Sequence, residues 1–279
     1  MNDDEMIRDT KEAVSALGEL VKLAGDNENA KKAADNIGKI AATVTGAVNN
    51  ILLPLAAVNF AVDKARNYFN KDFKEEILEA TAEIPNEHIQ EPKASIVGPA
   101  MQGLAYSLDE AELKAMYLKL ISSAMDDRNN GVMHPAYTDI LKQMSPIDAV
   151  FMRYFEEKTP SFIRVIHLYF THTGKTGKIL SNYGEHIDEI GFKSMTEYKI
   201  SLNNLLRLGL IVEGEATAGS YDNISLGVIE QVKKNMHLNN EEKYHVKGAT
   251  LKITALGLGF TYTCIKSGIT PESLLSIIP

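Results

Sequence analysis

The 279-residue chain has a single cysteine and no tryptophan. One Cys264 excludes an intramolecular disulfide and any metal site built on clustered thiolates. A lone thiol fits a reducing compartment, so the expected location is the cytoplasm. The chain also lacks internal repeats, low-complexity tracts and coiled-coil heptads, which excludes solenoids and long zippers. No targeting peptide is expected from the first residues, MNDDEMIRD, which are acidic where a secretory signal is basic and then apolar. At 44% apolar and 24% charged residues, global disorder is excluded, and the length suits about two domains.

Charge is short on one side only. Residues 1–145 hold 15 Lys+Arg against 23 Asp+Glu, a balance of −8, while residues 146–279 hold 14 of each. An acidic half carries no footprint for nucleic acid, and a neutral half only a weak one.

One long uncharged run is present, Ile40–Val62, 23 residues. As a helix it would reach about 34 Å, enough for a bilayer core. Asn49, Asn50, Pro54 and Asn59 within it argue instead for a buried helical core, with an amphipathic membrane-active hairpin as the alternative.

The N-terminal half reads as helices over 4–24, from Asn29 to Leu52, 55–69 and 72–84, then over 94–106, 108–125 and 135–144, from apolar residues at three- and four-residue steps. Ser107-Leu108-Asp109-Glu110 and Ser194-Met195-Thr196-Glu197 have the spacing of capping boxes. The apolar residues of 108–125 cover more than one face, which marks a central helix. Beyond Ser145-Pro146 the pattern changes. Phe162–Thr171 is a strand or a short buried helix, 195–206 is helical, 208–212 is a helix end entering a strand, and 244–253 is a strand. A short helix near 225–237, a closing helix from Ala255 to about Ile265 and a tail helix opened by Thr270-Pro271-Glu272 complete the reading. The order of elements resembles a winged-helix domain, with "NNLLRLGLIVEGE" as the third helix entering a small β-wing. The expected fold class is therefore mainly α: an acidic all-helical domain over 1–144, containing the uncharged segment 40–62, then a winged-helix-like α+β domain over 145–279.

Motifs for chemistry are incomplete. Thr173-Gly174-Lys175-Thr176 looks like the end of a phosphate-binding loop, but Tyr169 stands where the first glycine belongs. His167 and His172 would face opposite sides of a strand. His134, His186, His237 and His245 are scattered and read as surface or satisfied core residues. Asp109-Glu110 and Asp126-Asp127 have structural roles at a helix start and a turn. Cys264 reads as a buried small hydrophobe. No nucleophile pairs with a base at a recognisable spacing, so no enzyme, catalytic residue, metal or cofactor is expected. On the helix 195–207, Lys199, Asn203 and Arg207 are the candidate contacts to nucleic acid.

Several segments carry a family resemblance: Pro54-Leu55 after the uncharged run, "EPKASIVGPAMQGLAYS", "ELKAMYLKLISSAMD", "VMHPAYTDILKQMSPIDAVFM", "LLRLGLI" and "ITALGLGF". Together they resemble the abortive infection alpha (Abi-alpha) proteins of bacteria over most of residues 40–265. The resemblance implies a role in phage defence and carries over no catalytic residue. Gly98, Pro99, His134 and Pro135 match the family pattern and also read as kink or helix-start residues. The expected function is thus antiviral defence by binding or membrane perturbation rather than catalysis. A winged-helix nucleic-acid binder or regulator is the alternative. Ile51, Leu52, Leu53 and Phe60 are the candidate membrane or partner contacts. Self-association or a protein partner is expected, with location peripheral to the inner membrane if the uncharged run engages lipid; no small-molecule substrate is identified.

Overall fold

The computed structural model describes residues 64–65, 67–69, 71–157, 162–172, 175–215, 230, 234 and 243–265. The helices expected before residue 64, the uncharged segment 40–62 and the tail helix at 270 lie outside these residues. So does the helix expected near 225–237, except at Glu230 and Lys234, both helical. The chain divides into two compact units, residues 1–143 with 262–279, and residues 144–261.

In the first unit, apolar residues at helical spacing produce α1 (Phe73–Thr81), α2 (Ala94–Tyr106), α3 (Ala111–Ala124) and α4 (Ala136–Leu141). α3 is the centre. It packs against α1, α2 and α4, and buries Leu113, Met116, Tyr117, Leu120 and Ile121, more than one face, as its sequence implies. Its start differs from expectation. Ser107 ends α2, its N–H bonding to Leu104 O, and the Glu110 N–H bonds to Ser107 O, so the four residues form a turn. With α2 ending at Tyr106, the Ser107–Glu110 segment is needed to reverse the chain, and α3 begins at Ala111. The Met133-His134-Pro135 step is a helix start: His134 Nδ1 accepts from Ala136 N–H at 3.1 Å, and Thr138 Oγ1 donates to Pro135 O at 2.7 Å.

The second unit begins with α5 (Pro146–Glu157), whose Phe151 and Phe155 are fully buried. There follow β1 (Phe162–His172), β2 (Lys175–Tyr183), α6 (His186–Ile190), α7 (Met195–Arg207), β3 (Ile211–Glu215), β4 (Lys243–Ile253) and α8 (Ala255–Cys264). The boundary between the units falls within α8, after Thr261. α7 starts at the expected N-cap: Ser194 Oγ accepts from Glu197 N–H at 3.1 Å, while the Glu197 carboxylate reaches one residue further back than a capping box has it and accepts from Lys193 N–H at 2.6 Å.

The four strands form one antiparallel sheet in the order β2-β1-β4-β3. This corrects the fold class. The chain is not mainly α with a small two-stranded wing; it is mixed, and its second unit is organised around a four-stranded, half-barrel sheet. Two features hid this. β1 is central and buried on both faces (Val165, Ile166 and Leu168 are fully buried), so it shows no period-two pattern. β2, KTGKILSNY, is poor in β-branched residues and reads as a turn.

The resembling segments "LLRLGLI" and "ITALGLGF" meet in space. Gly209, at φ +71, turns the chain from α7 into β3. Thr254 Oγ1 donates to Gly209 O at 2.6 Å and accepts from Gly257 N–H at 2.9 Å. A Cβ on Gly257 would meet Leu210 O at 2.0 Å, so only glycine lets α8 approach this closely.

Candidate functional site

The chemistry-bearing side chains of the second unit gather around one residue, Asn182. Between Ile166↔Tyr183 and Leu168↔Leu180, β1 advances two residues while β2 advances three. The extra residue makes a bulge, and there Asn182 takes the left-handed conformation at φ 52, which asparagine tolerates better than most residues. Every polar group of its backbone is engaged. Its N–H donates to His167 Nδ1 at 3.2 Å, and its carbonyl accepts from Tyr198 Oη. Its amide Nδ2 donates to Glu213 Oε2 at 2.9 Å.

These bonds cross the sheet. Asn182 is on β2 and Glu213 on β3, the two edges. In a flat sheet the edges of four strands would be about 14 Å apart. The two side chains span most of that distance, and the coiling of the half-barrel sheet closes the rest, with Asn182, His167 and Glu213 on its concave face.

The bonds also settle where the protons are. His167 Nδ1 is occupied as an acceptor by the Asn182 N–H, so the ring proton lies on Nε2, which donates to Glu213 Oε1 at 3.1 Å. Burial pushes the His167 pKa below its ordinary value, outweighing the opposing pull of Glu213, and Lys178 and Lys247 push the same way. Burial alone would raise the Glu213 pKa; the Asn182 amide and His167 overcome it and hold the carboxyl below its ordinary value. The single Tyr198 hydroxyl proton goes to Asn182 O, so His186 Nε2 donates to Tyr198 Oη at 3.0 Å. Burial lowers the His186 pKa to about 4 and raises that of Tyr198. Two histidines, a tyrosine and a glutamate, the residue types of acid–base catalysis, thus form a neutral-imidazole brace around a strand bulge.

A second polar cluster anchors the helices. Asp148, 2% exposed, accepts from Ser145 N–H at 2.7 Å, Ser145 Oγ at 2.9 Å, Asn204 Nδ2 at 3.0 Å and Ser201 Oγ. It caps α5 and ties it to α7.

Beyond the brace the concave face opens. Along β1 it runs from buried Ile163, Val165 and His167 to half-buried Tyr169 and Thr171. The Lys178 Nζ lies 5.6 Å from the Tyr169 ring centre. Register puts His245 opposite Tyr169 and Lys247 opposite His167. Lys178, His245 and Lys247 are exposed.

Among the expected contacts, Lys199, Asn203 and Arg207 are exposed at successive turns of one α7 face. Arg207 donates to Asn204 Oδ1 at 2.7 Å. The neighbouring Asn204 is half-buried and donates to Asp148 Oδ2 at 3.0 Å. Ile51, Leu52, Leu53 and Phe60 lie outside the described residues. His167 and His172 do occupy one strand, β1, and Cys264 is buried, its thiol pKa pushed up to about 12 by burial. Sequence reading missed the Asn182 brace, whose members are 15, 31 and 46 residues apart; no local motif announces it. Among the described residues no group of three or more potential ligands could hold a metal ion, and no helix is long and apolar enough to cross a membrane.

No curated protein and no solved structure matches the chain. The family model described as abortive infection alpha matches residues 65–264, a span that takes in α1 to α8 and both polar clusters. That match covers well over half of the sequence, and the chain therefore belongs to the abortive infection alpha family.

Proposed function

We propose that the protein defends a bacterial cell against phage by binding a target through the open end of the concave sheet face, rather than by catalysis. Membership of the abortive infection alpha family supports the defence role. One observation carries the mechanism: the acid–base side chains that come together are engaged in holding the sheet, while the cations beside them, Lys178 and Lys247, are exposed. His167 cannot accept a proton at Nδ1 without losing the Asn182 bond, and His186 is 1% exposed. A general base needs an accessible lone pair and a pKa near the working pH. Exposed ammonium groups need only a complementary surface.

The test is a phage challenge of bacteria expressing the chain, at low and high phage-to-cell ratio, with membrane potential followed in the same cultures. Protection at low ratio with collapse at high ratio is the expected result. Plating no worse than a control strain's sinks the defence role. Early depolarisation directs attention to Ile40–Val62. If Tyr198→Phe and His167→Gln abolish protection while the protein stays folded and Lys178→Glu with Lys247→Glu does not, the binding mechanism is wrong and the brace is catalytic.

A further inference from the structure

The half of the chain with zero net charge is not uniform. β1, β2 and β4 together carry Arg164, Lys175, Lys178, Lys243, Lys247 and Lys252, and not one Asp or Glu. The acids of the sheet are confined to the β3 edge, Glu213 and Glu215. Of these, Glu213 is bonded to His167 and Asn182. Alternation along the strands puts Arg164, Lys175 and Lys252 on the opposite face; the concave face holds Lys178 on one edge strand and Lys247 on an inner strand, with the carboxylates on the other edge.

From this segregation we infer that the concave face is a binding surface for single-stranded nucleic acid, with Lys178 and Lys247 as phosphate contacts and Tyr169 and His245 beside them. The inference rests on the binding mechanism proposed above and names its ligand. Three observations carry it. Both lysines are exposed, and register sets Lys178 beside Tyr169 and Lys247 beside His167, on neighbouring positions of β1's concave face. Tyr169, with Lys178 over its ring and the His167 ring edge-on at 6.4 Å, gives the row an aromatic platform at the level of the cations. Cations tracking a backbone beside aromatic rings are what single strands need, and a sheet surface is a platform on which unstacked bases are received. The third observation is curvature. The edge-to-edge bond Asn182–Glu213 spans this concave face. A concave cationic face accommodates a chain-like polyanion; a bilayer presents a plane. Past Tyr169 and Lys178 the described face continues with the hydroxyls of Thr171 and Thr176, bonded to each other at 2.9 Å.

The experiment measures anisotropy of labelled 20-nucleotide oligo(U) and oligo(dT), a 20-base-pair duplex, and co-sedimentation with phosphatidylglycerol vesicles, all with the full chain. The expected result is oligonucleotide binding at about 50 mM salt that weakens steeply as salt rises. Lys178→Glu with Lys247→Glu lowers affinity roughly tenfold or more, and the milder Lys178→Gln with Lys247→Gln flattens the log–log salt slope by about 1.4, two phosphates' worth for a single strand. The glutamine pair also serves if the glutamate pair fails to fold, as judged by circular dichroism. Lys199→Glu with Arg207→Glu on α7 changes affinity less than about threefold, since those residues lie outside the face. The inference is overturned by no binding at low salt, by binding indifferent to Lys178 and Lys247, by loss that follows the α7 pair, by preference for the duplex, or by binding to vesicles alone. Plating separates the two proposals. Lost protection in the Lys178/Lys247 variant without any oligonucleotide binding overturns the nucleic-acid ligand and keeps the face. Lost oligonucleotide binding with full protection keeps the ligand and removes its part in defence.

Discussion

The second unit holds two polar clusters, one buried among helices and one in the sheet, where Glu213 is exposed, and they are built differently. Asp148 draws two of its four donors from Ser145, three residues away, and its cluster begins as a helix cap that then gains α7. Asn182 draws nothing from its own neighbourhood: its partners come from β1, β3 and α7. The first cluster stabilises a local start and docks it; the second has no meaning until the sheet has coiled. Local bonds form at little loop-closure cost, whereas long-range ones require the ordering of everything between.

The contrast is sharpened most by Asp148→Ala. It leaves four donors without their charged acceptor, and the expected loss is about 4 kcal/mol by urea unfolding. A loss below about 1 kcal/mol would mean the cluster contributes shape alone.

Acid separates the clusters next. The folded His186 pKa is about 4, below the ordinary 6.5. Its folded site holds a neutral ring, so its contribution is complete above about pH 6.5 and is lost as pH falls toward 4, in total about 3 kcal/mol. His167 is shifted in the same direction and adds to the slope. Unfolding followed between pH 7 and pH 4 should show this loss, and His186→Gln should flatten it; an unchanged slope in that variant would place the titrating group elsewhere.

Asn182→Ala comes third, at about 2 kcal/mol, from a left-handed conformation that alanine resists and a lost amide bond to Glu213. Asn182→Gly restores the backbone part and should recover about half. Equal losses in the two variants would show that the amide, not φ, dominates. Smallest of all, Lys199→Ala, Asn203→Ala and Arg207→Ala on the exposed α7 face should each stay within about 0.5 kcal/mol. Larger effects would mean that this face is covered in the folded protein.

The same difference explains what was legible in the residues. Ser194 and Glu197 announce the start of α7, because a cap is a contact over three positions. The identically spaced Ser107 and Glu110 do not start a helix, because α2 ends at Tyr106 and the chain must turn there. β2 went unread because its strand character comes from pairing with β1, not from its own composition. The charge sum of the second half concealed a segregation that only strand pairing brings together.

By itself the sequence determined the helices of the first unit's described residues, α1 to α4, the central place of α3, the α7 cap, the burial of Cys264 and the family, all carried by periodicity, short-range caps or contiguous segments. Only the tertiary structure decided the coiled four-stranded sheet, the protonation of His167 and His186, and the exposed cations beside them. Those depend on residues 15 to 46 positions apart. No local pattern encodes such a meeting, because it exists only once the chain between them has folded.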